Sequence, residues 1–211
     1  MQLNIPHLMT KLAEERPVFH SEADFQHAFA WVIRHEHQSA KIRLERRVEL
    51  MNDKGPKPAY LDLWVDLEGT RTAIELKYQT ADFHHETDGE TFHLRNKGAE
   101  DNLGYDFLHD LERLERFVDQ NGDHSAGHAI LLSNERLWSY RPTATPRSKD
   151  AFRLHEGRVV TGPQAWGKAV PPTNSRHHPI TLRGTYALTW QPYRIGGPFQ
   201  YLHLPVSKAR N

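Results

Sequence analysis

Asp62, Glu75 and Lys77 have the residue types and the spacing to hold a hard cation and to steady negative charge beside it. They lie in YLDLWVDLEGTRTAIELKYQ, residues 60–79, where apolar residues flank a Glu68-Gly69 pair. A two-residue turn with Gly second is a favoured hairpin connection, and it fixes the register of the strands it joins. With Leu67 opposite Thr70, Asp66 faces Arg71 and Asp62 faces Glu75. Directly opposed residues have Cβ atoms ~4.5 to 5.5 Å apart, and like charges there repel unless something neutralises them. A divalent cation would do so. Lys77 follows Glu75 by two residues and shares its face of the strand.

This is a donor set for phosphodiester hydrolysis. Mg²⁺ prefers oxygen ligands and keeps several waters, so one or two carboxylates and a substrate phosphate suffice, with Mn²⁺ as a substitute. Asp62 and Glu75 are the expected carboxylate ligands, and the backbone carbonyl of Leu76 is a plausible third. Lys77 would favour hydroxide and stabilise charge developing on the phosphate.

Several elements must position these groups. A short helix is expected over residues 7–15. Ser21, with Asp24 three residues on, signals the start of a second, in which Phe25, Phe29, Val32 and Ile33 recur at helical spacing and which ends near residues 37–39. Glu22 lies in its first turn and leans toward the buried face, so it is a candidate to position water or bind a second cation. It also suits the helix dipole. Over residues 41–51 the period switches to two, placing Ile42, Leu44, Val48 and Leu50 on one face. Arg46 interrupts that face, which implies solvent exposure there or an acidic partner. Residues 52–58, NDKGPKP, read as a loop.

After the central hairpin, residues 82–94 suggest a polar, solvated hairpin pivoting on Asp88-Gly89, with His84, His85 and His93 on its faces. A helix spans residues 103–120 with Phe107, Leu111, Leu114 and Val118 on one stripe, ended by Asn121-Gly122. Asp110 with Arg113, and Glu112 with Arg116, are spaced as pairs on a solvated face. The apolar run in GHAILLS, residues 127–133, reads as a buried strand. Residues 137–140 suggest another short strand, residues 141–179 are irregular, and residues 180–190 and 199–206 suggest two more strands.

The order helix, strand, two-stranded hairpin, helix, strand is αβββαβ, an α/β (α+β) arrangement with a mixed sheet and flanking helices. In this order the chain resembles the PD-(D/E)xK nuclease superfamily, with its restriction-endonuclease-like fold. Asp62 matches the first acidic position, Glu75-Leu76-Lys77 the (D/E)xK tripeptide, and Glu22 an auxiliary acidic residue found in part of the superfamily. The match spans about residues 21–133. Leu61, not Pro, precedes Asp62, and no Gln-x-x-x-Tyr follows on the second core helix. The resemblance implies a nuclease-like core, expected over residues 1–140 with a hairpin insertion at about 82–95, while residues 141–211, which it does not cover, read as a basic, Pro-rich and then β-rich extension packed on the same domain. It implies a Mg²⁺-dependent DNA endonuclease of restriction or defence type. Two other classes stay open: a nucleic-acid-binding module that does not cut, and a metallohydrolase ligated by His84, His85 or His93.

Composition bounds these readings. The chain has 211 residues, 37% hydrophobic content and no Cys, so a metal would need oxygen or imidazole ligands. No apolar run is long enough to cross a membrane, and the cytoplasm is the expected compartment. Residues 1–140 carry 16 Lys and Arg against 25 Asp and Glu, whereas residues 141–211 carry 11 against 2. Such a basic segment suits a polyanionic partner, nucleic acid and DNA in particular, or folds back onto the acidic body. Tyr140, Trp166, Tyr186, Trp190 and Tyr193 add aromatics able to stack on bases. A homodimer would suit cutting both strands of a duplex.

Overall fold

Ser21 caps the second helix as its sequence requires. Its side chain accepts a hydrogen bond from Asp24 N at 3.1 Å, and the helix runs Glu22–Glu36. In the computed structural model, which describes residues 1–52, 55–87, 89–98, 100–142, 148–167 and 175–208, this helix is α2 and follows α1, Ile5–Glu15. The strands β1 (Lys41–Asn52), β2 (Gly55–Leu67) and β3 (Thr70–Gln79) come next. The hairpin β4 (Phe83–Thr87) and β5 (Glu90–Leu94) precedes α3 (Glu100–Asn121) and β6 (Ser125–Ser133), and β7 (Val159–Gln164), β8 (Ile180–Ala187), β9 (Trp190–Pro192) and β10 (Gln200–Val206) complete the order.

The main sheet is mixed, with strand order β1-β2-β3-β6-β10-β9. β3 and β6 are parallel, as strands joined through a crossover helix must be, and the other pairs are antiparallel. One apolar core lies between the sheet and α1, α2 and the β4–β5 hairpin. A second lies between the opposite face and α3, with β7 and β8 beyond it. The structure is therefore mixed α/β with helices on both faces of the sheet. No helix among the described residues is long and apolar enough to cross a membrane.

The β2–β3 register is the one the Glu68-Gly69 turn dictates, with Leu67 opposite Thr70 and Asp66 opposite Arg71. Glu68 and Gly69 both adopt positive φ. β6 is buried along its whole length. At Gly127 a Cβ would lie 3.1 Å from the Cβ atoms of both Leu114 and Val206. Glycine there lets α3 lie close to the sheet.

Several expectations are corrected. The loop at residues 52–58 is much shorter, because β1 and β2 stay paired out to Asn52 and Gly55. Pro56 and Pro58 are tolerated in β2 because that part of the strand has only β1 as a neighbour, so one edge needs no donor. Nor do the even-numbered residues of β1 share a face. Ile42 packs on the first core, whereas Val48 and Leu50 join the second. Glu45 between them has φ 48°, and there the β1–β2 ribbon turns over. Of the two alternatives for Arg46 the structure has the first, since the residue is exposed, and its guanidinium stacks 3.9 Å over the Trp64 ring.

Residues 137–139 form a 3-10 turn, not a strand. β7 escaped the sequence pattern because its Thr-Gly-Pro interior weakens the alternation, and Gly162 sits at a register shift opposite β8. The expected single strand over residues 180–190 is two, β8 pairing with β7 and β9 with β10. The hairpin pivot residue Asp88 lies outside the described residues. Its strands are docked on one side, not solvated on both: Phe92 and Leu94 are buried, and His20 stacks on Phe92 at 4.3 Å.

The C-terminal segment is tied by charge to α3 and the turn after it. Arg176 makes two 2.7 Å bonds to Asp106, Arg183 pairs with Asp119, and Lys208 reaches Asp123 at 3.2 Å. Buried Glu115 accepts from Gly184 N at 2.7 Å, from both Arg183 N contacts at 3.1 and 3.0 Å, and from Tyr186 Oη at 2.8 Å. Glu115→Ala should strand these donors and destabilise the chain by about 3 kcal/mol. A urea midpoint equal to the parent's would refute that. Of the aromatics considered for base stacking, Tyr186, Trp190 and Tyr193 are buried in the cores, and Trp166 packs on Phe152 at 4.4 Å.

Candidate active site

The β2–β3 ladder ends at Leu63 and Ile74, one pair short of Asp62 and Glu75. Beyond it the strands part. Among the described residues β2 continues with β1 alone, β3 continues with β6 alone, and the fork leaves one edge of β3 without a strand neighbour. A buried N–H on such an edge needs another acceptor. Asp62 Oδ2 accepts from Leu76 N at 2.6 Å, and Glu22 Oε2 from Tyr78 N at 2.8 Å. The first turn of α2 and the end of the β2 ladder thus deliver two carboxylates to one strand edge. Leu76 and Tyr78 turn their carbonyls the same way. Lys77 Nζ lies 3.4 Å from Leu76 O, and Lys97 Nζ donates to Tyr78 O at 2.6 Å.

Gln26, one helical turn after Glu22, donates to Asp62 O at 2.5 Å and to Glu45 Oε1 at 3.1 Å. It ties α2 to the point where the β1–β2 ribbon turns over, which fixes the backbone of Asp62. Glu75 and Lys77 project from the opposite face of β3, toward α3. There they meet Asp110 and Arg113. Lys77 Nζ is 2.8 Å from Asp110 Oδ2, Arg113 Nη1 is 2.8 Å from Asp110 Oδ1, and Arg113 Nη2 is 3.0 Å from Glu75 Oε1. Arg113 Nη2 also donates to Tyr60 O on β2, so its guanidinium spans the fork.

The pairing of Asp110 with Arg113 is as the i,i+3 spacing suggests, but its place is not a solvated surface: Asp110 is 5% exposed. The signal was available. Asp110 stands three residues after Phe107 and four before Leu114, within the apolar stripe. Arg113 was named only as the surface partner of Asp110, and Gln26 is the site residue that the sequence did not single out.

Burial sets the electrostatics. It pushes the Asp62 carboxyl up to about 6, with Lys77 and the Leu76 N–H pulling back and Asp110 and Glu22 adding to the rise. Glu75 is raised well above the carboxylate range by burial and then by Asp110, against the pull of Arg113. Burial disfavours the Lys77 ammonium, but Asp110, Asp62 and Glu22 outweigh it and the net shift is upward. Lys77 is therefore a fixed positive charge and a hydrogen-bond donor, and it does not serve as a base.

The donors fit a hard cation by chemistry. Asp62, Glu75, Asp110 and Glu22 set four carboxylates against the two cations Lys77 and Arg113, and Glu75 Oε1 is buried without an aligned hydrogen-bond donor. No group of three or more His, Asp or Glu among the described residues is gathered closely enough to hold a metal ion. Asp62, Glu75 and the Leu76 carbonyl are oxygen donors of the kind that Mg²⁺ takes together with its own waters. In the β4–β5 hairpin, His84 Nδ1 and His93 Nδ1 are 3.0 Å apart, and among the described residues no third ligand joins them.

Comparison of the chain with models of protein families, with characterised proteins and with solved structures finds no match in any of the three.

Proposed function

We propose that the chain is a divalent-metal-dependent nuclease of the PD-(D/E)xK type, a DNA endonuclease in the first instance. The observation that carries this reading is the fork. It brings Asp62 from β2, Glu75 and Lys77 from β3 and Glu22 from α2 to a place where a strand edge offers the Leu76 carbonyl. The element order α2, β1, β2, β3, α3, β6 supports it as well.

In this reading Asp62, Glu75 and the Leu76 carbonyl hold Mg²⁺ or Mn²⁺. The cation supplies a water acidified toward neutral pH and neutralises charge on the phosphate. Lys77, kept protonated by Asp110, places a positive charge where the pentacovalent phosphorus gains negative charge. Glu22 and Gln26 hold the strand edge and the Asp62 backbone in place, so that the site is preorganised. Raised carboxylate pKa values make cation binding favour higher pH, because protons and the metal compete for the same oxygens.

A plasmid and a single-stranded oligonucleotide incubated with the full chain at pH 8, with Mg²⁺ or with EDTA, test the proposal. Nicking or linearisation that EDTA abolishes is the expected result. Binding without cleavage in either Mg²⁺ or Mn²⁺ would favour a non-cutting nucleic-acid module. The internal ion pairs of Lys77 with Asp110 and of Arg113 with Glu75 are the observation on that side.

A further inference from the structure

Three of the buried side-chain atoms that lack an aligned hydrogen-bond partner among the described residues are neighbours: Glu75 Oε1, Asp110 Oδ2 and Arg113 Nε. Two of the three are in ion-pair contact all the same, Glu75 Oε1 with Arg113 Nη2 at 3.0 Å and Asp110 Oδ2 with Lys77 Nζ at 2.8 Å, so Arg113 Nε is the atom of the cluster left without a partner among the described residues. The guanidinium of Arg113 is at its centre. It lies 3.0 Å from Glu75 Oε1, bonds Asp110 Oδ1 and Tyr60 O, and leaves its own Nε without an acceptor.

We propose that Arg113 is the resting occupant of the cation site: its guanidinium holds Glu75 until a divalent cation takes that carboxylate and displaces it. This rests on the reading of Asp62 and Glu75 as cation ligands. The physical argument is competition for one oxygen. A guanidinium in ion-pair contact with Glu75 Oε1 occupies a direction in which a cation would approach, and the two positive charges repel strongly when neither is solvated. Without Arg113, Glu75 would face Asp110 and Asp62 with Lys77 as its remaining positive neighbour, a costly state for a buried carboxylate. Arg113 thus keeps the empty site folded and must let go when the site fills. Its bond to Tyr60 O makes the release also an unpinning of β2 from α3 at the fork.

Mg²⁺ affinity measured by calorimetry on the full chain and on Arg113→Gln, together with the ¹⁵N-labelled arginine Nε signals of the parent, tests this. Loss of a hydrogen-bonded competitor predicts Mg²⁺ binding about tenfold tighter in Arg113→Gln. In the parent, Mg²⁺ should shift the Arg113 Nε signal and leave that of Arg116, which pairs with Glu112 on the next turn at 2.9 Å, where it was. Equal or weaker binding by Arg113→Gln, with an Arg113 signal that saturating Mg²⁺ does not move, overturns the proposal. Should Arg113→Gln fail to fold, the parent's Arg113 signal decides alone. Asp62→Asn and Glu75→Gln locate the cation. Binding lost in both, with Arg113 indifferent, overturns the displacement and leaves the cation site standing, whereas a parent and an Arg113→Gln that both ignore Mg²⁺ overturn the two together.

Discussion

On the proposed nuclease reading, Lys77→Met should slow Mg²⁺-dependent cleavage by about 10²- to 10³-fold, the usual scale for removing one preorganised charge from a site where negative charge develops. The same substitution acts on stability. Asp110 is 5% exposed and loses its 2.8 Å partner, keeping only Arg113. A buried carboxylate deprived of one partner destabilises a fold by about 3 kcal/mol. The two effects are separable with a second substitution. Lys77→Met with Asp110→Asn removes both charges of the pair, so it should recover most of the lost stability and none of the lost rate. Rates are compared well below the melting temperature of the weakest variant. Cleavage by Lys77→Met at the parental rate would remove Lys77 from the mechanism, and a double variant that regained activity would show that Asp110, not the reaction, had been the cause of the loss.

Acid should unfold the chain largely through one pair of histidines on β6 and β10, of which His128 lies beside Ile74 of β3. His128 on β6 and His203 on β10 face each other across the sheet, Nδ1 to Nε2 at 3.0 Å. Burial, with a smaller push from His203, lowers His128 to about 3, and burial lowers His203 to about 4. Both are neutral in the folded chain at neutral pH. The unfolded chain binds protons on both as pH falls through about 6.5, so it holds more protons than the native state and stability falls. The full stability is present above about pH 6.5 and is lost progressively toward pH 4 and 3. At 1.36 kcal/mol for each unit, either imidazole alone contributes on the order of 3 kcal/mol by pH 4. His128→Leu with His203→Leu should therefore flatten the dependence of the urea midpoint on pH between 7 and 4. A double variant with the parent's slope would place the acid sensitivity elsewhere.

Asp62, Glu75, Lys77 and Glu22 were legible because local rules place them. A Glu-Gly turn sets the β2–β3 register to within a residue, and Ser21 caps α2 where Glu22 must occupy its first turn. The fork was not legible. Counting along a regular ladder sets Asp62 directly opposite Glu75, but the ladder ends one pair earlier, and Asp62 bonds the backbone of Leu76. That departure depends on Glu45 at φ 48°, on Gln26 reaching across from α2, and on Arg113 bridging from α3. None of these is near Asp62 in the chain.

The C-terminal third shows the same division. Its basic composition is plain in the sequence, but the acidic residues that answer Arg176, Arg183 and Lys208 belong to α3 and the turn after it, tens of residues earlier. By itself the sequence determined the elements from α1 to β6, their order and the face of β3 that carries Glu75 and Lys77, because turn chemistry, capping and periodicity act over a few residues. The tertiary structure alone decided which charges meet. Burying a carboxylate demands a partner, and the partner is chosen by whichever element packs against it, not by its neighbours along the chain.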